Sequence, residues 1–285
     1  MIKTTSLLLI VLISFSGCFR KDLPVTYTSP FDVNANFYHA IPLKSDSIKS
    51  AVYTDFAFTG GSANSNSDNL FAFHGGAHQS FNFGKFQAWY GGQVALGSYS
   101  VKDNYRLHYS DSSYAGGVYT GYRIDTLSHV PPSRHSFGAY GLNGGFNYVL
   151  PFRHKHGEWR FGIQVDIQKE FGDYLSFRKS LPDTLADFIS TNRWTEHLGF
   201  STEWIRRKRT VEIGYQFAIG VSFSPPGNYY GDSNSSSAFY VANTFHMTKG
   251  KITGFCQLNA APNAVSFKTG INYRLGKKNK NNDRK

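Results

Sequence analysis

Histidines, acids and two cysteines hold most of the chemistry this chain could perform. His74 and His78 stand four residues apart in an alternating stretch, so on an extended strand both side chains fall on one face. Two imidazoles at close range could bind a metal or move a proton, although polar packing is the simpler use. His154-Lys155-His156 begins like a metal site, yet no carboxylate or cysteine set converges with it, and the triplet reads as a solvated turn. Asp103, His108, Asp111, Asp125 and His129 place acids and histidines in one long polar segment, by composition only. No Gly-x-Ser-x-Gly motif, phosphate loop or haem motif occurs. The expectation is a protein that is not an enzyme and uses no cofactor and no metal.

A second set of charges lies on faces that otherwise carry small polar residues: Lys85, Arg160, Asp166, Glu170, Glu203, Glu212, Lys268 and Arg274. Both signs are present, so these side chains should pair with one another across an enclosed space, because an unpaired buried charge is costly. A third set is aromatic. Tyr105, Tyr109, Tyr114, Tyr119 and Tyr122 crowd the segment from 102 to 134, where tyrosine would supply wide amphipathic contacts to a partner.

The elements that must position these residues are strands. Trp159, Phe161, Ile163, Val165 and Ile167 alternate with Arg160, Gly162, Gln164, Asp166 and Gln168. Val211, Ile213, Tyr215, Phe217, Ile219, Val221 and Phe223 do the same against Glu212, Gly214, Gln216, Ala218, Gly220 and Ser222. Period two with unlike faces is the strand signal. It predicts ten strands, over 47 to 59, 69 to 81, 85 to 101, 135 to 150, 158 to 172, 193 to 205, 210 to 223, 236 to 247, 251 to 260 and 264 to 275. No stretch shows a convincing helical repeat.

Short connections at 82 to 84, 151 to 157, 206 to 209 and 248 to 250 alternate with long polar ones at 60 to 68, 102 to 134, 173 to 192 and 224 to 235; only 261 to 263 breaks the rule. Charged residues make up 17% of the chain against about 25% in ordinary soluble domains, while aromatics reach 16%. The polar faces are rich in Gly, Ser, Asn and Gln rather than Lys and Glu. They therefore suit a narrow hydrated interior, with the apolar faces outward. Gly141, Gly162, Gly199, Gly214, Gly220 and Gly270 lie on the polar faces, where small side chains relieve crowding. Trp159, Tyr148, Phe223 and Tyr273 fall near strand ends, as interfacial girdles require.

At the start of the chain, Lys3 precedes an apolar run from Leu7 to Ile13, followed by Ser14, Ser16 and Gly17. This is the layout of a secretory signal peptide, too short to span a bilayer, which takes about 20 apolar residues. Phe15-Ser16-Gly17-Cys18 resembles the bacterial lipobox, with Phe15 where that pattern prefers Leu. The resemblance implies cleavage before Cys18 and lipid on its side chain. Cys256 is the only other cysteine, so lipid on Cys18 leaves no intrachain disulfide.

From 47 to 275 the chain resembles the small bacterial outer-membrane β-barrel families. That resemblance implies an all-β fold: a closed, antiparallel, up-and-down transmembrane barrel of about ten strands, with eight to twelve possible. The implied organisation is a signal peptide over 1–17, a tether or periplasmic plug over 18–46, the barrel over 47–275 and a basic tail over 276–285. Both termini are expected on the short-turn, periplasmic side. Expected partners are outer-membrane lipid, the barrel assembly machinery during biogenesis and an envelope or extracellular partner at the long loops; nucleic acid is not expected, despite a net charge of +11. The leading role is structural or surface-interacting. A narrow channel for small solutes, and a lipid-tethered soluble barrel holding an apolar ligand, are the alternatives. A protease resembling the omptins, which place acids and histidine at the external rim, is the least favoured reading, since no stretch matches their pattern.

Overall fold

Strict alternation leaves each strand with one apolar and one polar face, and closing the sheet on itself separates the two solvents that those faces need. A computed structural model describes residues 25–32, 38–46, 48–64, 68–115, 118–152, 157–182, 185–186, 188–223, 228–229, 238–261 and 264–276, with side chains described outside 104–128, 228–229 and 238. Its elements are β1 (Thr26–Tyr27), a 3-10 turn (Lys44–Asp46), β2 (Ser50–Ala63), β3 (Asp68–Phe83), β4 (Phe86–Val101), β5 (Asn104–Ala115), β6 (Val118–Val130), β7 (Ser133–Pro151), β8 (Gly157–Phe171), α1 (Asp173–Ser180), β9 (Phe188–Ile189), β10 (Trp194–Lys208), β11 (Val211–Ser222), β12 (Asn228–Tyr229), β13 (Ala238–Lys249), β14 (Ile252–Ala261) and β15 (Ala264–Arg274).

Ten of these strands close a barrel in the order β2, β3, β4, β7, β8, β10, β11, β13, β14, β15 and back to β2, every pairing antiparallel. The ten predicted strands are these ten, with ends displaced by a few residues. Tight turns at one end place Gly84, Arg209 and Gly250 in the left-handed region, which glycine enters at no steric cost. Closure leaves no unpaired sheet edge.

The register keeps the two faces apart. Phe146, Ile163, Phe200, Ile219 and Val241 pair side by side across five strands on the outer face. The next row, Asn147, Gly162, Ser201, Ala218 and Ala242, faces inward. Ile163 is 42% exposed, whereas Arg160 and Asp166 on the same strand are 2% and 4% exposed. Arg178, Lys268, Gln87 and Gln257 are among the largest fully buried side chains, positions that hydrocarbon would hold in a water-soluble core. The apolar belt therefore faces outward, and only a bilayer supplies a matching solvent.

The height of that belt can be measured on β10. Trp194 and Trp204 both face outward, ten residues apart; at ~3.3 Å per residue and a tilt of ~40°, they bracket roughly 25 Å. Tyr140, Lys169 and Trp194 lie on one register line, with the Lys169 ammonium 5.3 Å from the Trp194 ring, as amphipathic residues at a membrane interface do.

Four expectations require correction. The segment from 102 to 134 is not a loop: β5 and β6 pair as an antiparallel hairpin outside the barrel sheet, with register shifts at His108/Tyr109, Ser110/Ser112 and Ser112/Tyr114 that disrupt the alternation a sequence reading depends on. The segment from 173 to 192 contains α1 and β9, and β9 joins β1 and β12 in a small sheet, parallel to β1. Lys85 does not point inward; it is exposed in the β3–β4 turn. The two ends of the described chain are on opposite sides. Residue 276 follows β15 at the short-turn end, whereas Val25 and β1 lie at the long-loop end, where the Thr26 amide donates to Asn64 Oδ1 at 2.9 Å.

Candidate functional site

The described parts of the N-terminal segment lie inside the barrel, 25–32 at the long-loop mouth and 38–46 farther down toward the start of β2, and inward side chains bind both. Near the top, Phe31 packs edge-on against Phe137, with ring centroids 5.4 Å apart, and Asp32 accepts a hydrogen bond from Ser222 at 2.9 Å. Midway, Tyr38 stacks on His246 at 4.6 Å. Lower down, the carbonyls of Ile41 and Pro42 accept from Arg160 at 3.2 and 3.3 Å, and Gln87 donates to Pro42 at 3.1 Å. Below these, the Lys44 amide donates to Glu158 at 2.9 Å, and Arg207 pairs with Asp46. An irregular segment inside a barrel has no ladder partner for its backbone groups, so the barrel's side chains must satisfy them.

Arg160 organises the lower lumen. Its Nε donates to Glu158 at 2.6 Å, Nη1 to Glu203 at 3.0 Å, and Nη2 to the two carbonyls above. His246 Nε2 lies 2.9 Å from the other Glu203 oxygen. The guanidinium fork thus ties two barrel carboxylates to the inner segment, an arrangement for which its planar geometry suits it. Toward the short-turn mouth Arg207 holds Glu212 and Asp46, and an open vestibule of about 1160 Å³ is lined by Arg160, Arg207, Glu212, Arg274, Tyr38 and His246.

At mid-height, His39 from the inner segment meets Asp55 of β2 and His78 of β3, with one ligand atom from each within 4.8 Å of the others. His78 Nδ1 is 2.8 Å from Asp55 Oδ2, and its Nε2 is 2.8 Å from the Ala40 carbonyl. Tyr53 stacks on His78 at 4.9 Å and 7°; Trp89 stacks on His39 at 3.9 Å. Gly91 is needed here. A Cβ at that position would lie 2.7 Å from His78 Cβ and 3.0 Å from Asn143 Oδ1, so only glycine lets those side chains lie over the strand.

The long-loop end is closed by different chemistry. Tyr174 and Arg178 of α1 reach into the mouth: Tyr174 stacks on Tyr99 at 4.1 Å, while Arg178 pairs with Glu170 and donates to the Ser190 carbonyl at 2.8 Å. Burial raises the Tyr174 hydroxyl well above the ordinary phenol range, so it stays neutral. Tyr27, Phe31, Leu70, Tyr99, Val101 and Phe137 pack beneath it as an apolar core.

Of the charges read from sequence, Arg160, Asp166, Glu170, Glu203 and Lys268 are buried inside the barrel, and Glu212 and Arg274 line the vestibule. Asp166 accepts from Gln93 at 2.8 Å and from Gln168 at 2.5 Å. Sequence reasoning put His74 and His78 on one inward face, where both lie; they serve different partners, His74 bonding to Thr59 at 2.9 Å and His78 joining His39 and Asp55. His39 escaped notice because it lies outside any strand and so has no face to assign. Of the five rim acids and histidines, Asp103 and His129 form an exposed contact of 2.5 Å at the hairpin base, and the other three side chains lie outside the described ones. The same holds for Tyr105, Tyr109, Tyr114, Tyr119 and Tyr122, whose backbone positions alone are described, with Tyr114 opposite Tyr119. Cys18 and His154-Lys155-His156 lie outside the described residues. Cys256 faces outward on β14.

No family model matches the chain, and no curated protein matches it in sequence. Solved structures are similar to the chain at low identity. The β domain of the Bordetella autotransporter Brka has 10% identity and a TM-score of 0.42, over 80% of this chain and 100% of that one. The translocator domain of the autotransporter NalP from Neisseria meningitidis has 11% identity and a TM-score of 0.43, over 82% and 91%. The outer membrane protease OmpT from Escherichia coli has 8% identity and a TM-score of 0.36, over 83% and 99%.

Proposed function

We propose that this chain is a non-enzymatic outer-membrane barrel lipoprotein that is closed by its own N-terminal segment and works through its long-loop end rather than by conducting solutes. The observation that carries the reading is the set of bonds between Arg160, Gln87, Glu158 and His78 and the backbone of residues 40–44, which fixes a length of chain across the lumen. The belt of roughly 25 Å supports a bilayer as the solvent outside. In an outer membrane, long connections face outward and tight turns face the periplasm. The hairpin, α1 and the three-stranded sheet then form the surface available to an envelope or extracellular partner.

The path of the inner segment also bears on the lipid. Val25 is seven chain steps from Cys18, a reach of at most about 25 Å. A lipid on Cys18 would then enter the leaflet at the long-loop end, the external one, and not the periplasmic leaflet.

Two measurements test the reading. The full chain in planar bilayers should give no conductance steps; resolved steps would overturn closure. An epitope inserted after residue 20 should bind antibody on intact cells, while one after residue 276 should require permeabilised cells. The reverse pattern would overturn the orientation.

A further inference from the structure

The mid-lumen histidine cluster has a use that closure alone does not require. His39, Asp55 and His78 bring two imidazoles and one carboxylate together from three separate segments of the chain. Next to them is a cavity of about 10 Å³, room for a single water-sized group, lined by His39, Asp55 and Asn143. Two of these lining residues carry a buried acceptor, Asp55 Oδ1 and Asn143 Oδ1, with no hydrogen-bond partner among the described residues, and Asn143 is only 6% exposed. Orphaned acceptors are costly unless something electropositive meets them.

We propose that His39, Asp55 and His78 form a site for one divalent ion of the zinc class, which fastens the N-terminal segment to the barrel wall. Two imidazole nitrogens and a carboxylate oxygen, without thiolate, are the ligand types of such ions; calcium and magnesium prefer all-oxygen sets. Tetrahedral binding at ~2.0–2.1 Å would set donor atoms roughly 3.4 Å from one another, so His39 must draw in from within 4.8 Å while His78 Nδ1 and Asp55 Oδ2, now 2.8 Å apart, open slightly. His39, carried by the inner segment and not by a barrel strand, is the ligand that has to move. On binding, a lone pair of His78 Nδ1 replaces the N–H that Asp55 now faces, and the displaced proton leaves to solvent. Asn143, which lines the same cavity and whose amide oxygen has no partner among the described residues, is the candidate for a fourth ligand. The proposal concerns the lumen alone and is independent of any role for the outer surface.

The test is Zn²⁺ and Co²⁺ titration of the full-length protein purified in detergent. One ion per chain is expected, with a visible Co²⁺ absorption band of low-symmetry coordination. His39→Gln should weaken binding tenfold or more while removing no side chain of the barrel wall, and His78→Gln and Asp55→Asn should do the same. The double variant His154→Gln/His156→Gln should bind normally. In a Cys256→Ser background, Ala40→Cys should react with a small thiol reagent at least several-fold more slowly when Zn²⁺ is present, and His39→Gln should abolish that protection. Absence of binding, binding unchanged by His39→Gln, or binding lost with the 154/156 pair would each overturn the proposal.

Discussion

The lumen has two ends, and different chemistry dominates each. At the short-turn end the interior is ionic, with Arg160 between Glu158 and Glu203. At the long-loop end it is mainly aromatic and aliphatic, with Tyr99, Val101 and Phe137 packed under Tyr174 of α1 and the Arg178–Glu170 pair as its ionic exception. One strand passes through both regimes without changing which residues point inward. On β4 the inward positions run from Gln87 and Gln93 to Tyr99 and Val101, while the outward ones run from Phe86, Tyr90, Val94 and Leu96 to Ser98 and Ser100. The partner strand reverses at the same level, where Ser98 pairs with Ser136 and Val94 with Tyr140. A barrel is inside-out only where hydrocarbon touches it. Above that line, water covers the outer face, and the same fold builds an ordinary apolar core.

The comparison predicts different failures at the two ends. Arg160→Met leaves Glu158 and Glu203 buried without their cation, and should cost about 3–5 kcal/mol, read as a lowered urea midpoint of the folded barrel in detergent. Adding Glu158→Gln and Glu203→Gln should recover most of that loss; an uncompensated triple variant would mean the network acts by shape and not by charge. Tyr174→Ala should cost somewhat less, about 3 kcal/mol, by opening a void beneath α1. Its effect should be confined to the cap: proteolysis between 173 and 190 should accelerate while the barrel's heat-modifiable migration stays unchanged. If the whole barrel weakens, the cap core and the wall are one cooperative unit.

The barrel could be read from sequence because a residue's face depends only on the parity of its position, and in β8 the run from Trp159 to Ile167 has no exception. Parity carries nothing where the register slips or the chain leaves the sheet. Bulges near His108 and Ser112 concealed β5 and β6. The eight residues of α1 bury Tyr174, Leu175 and Arg178, too few for a helical period to stand out. For the N-terminal segment the sequence offered a tether or a plug and no path, because Phe31, Tyr38 and Leu43 bury themselves through tertiary contacts that have no period of their own. The charged half of the lumen was therefore legible as a set of residues, because its members sit on strands. The cluster at mid-height was not, because His39 reaches it from the irregular segment.

The smallest expected effect comes from the rim of the ionic end. Arg207 bonds the same two kinds of partner as Arg160, a barrel carboxylate in Glu212 and the inner segment through Asp46, but its side chain is 26% exposed. Water already screens those charges, and the carboxylates would be rehydrated once the guanidinium is gone, so Arg207→Ala should cost about 1 kcal/mol or less in global stability. Its effect should be local. The 3-10 turn at 44–46 should fray, and a probe at Ser45 should gain mobility while one at Ala40 does not, because the bonds from Arg160 to Ile41 and Pro42 lie between them. Mobility gained at both positions would show that the segment is held from its lower end, and that the buried guanidinium is not the clasp.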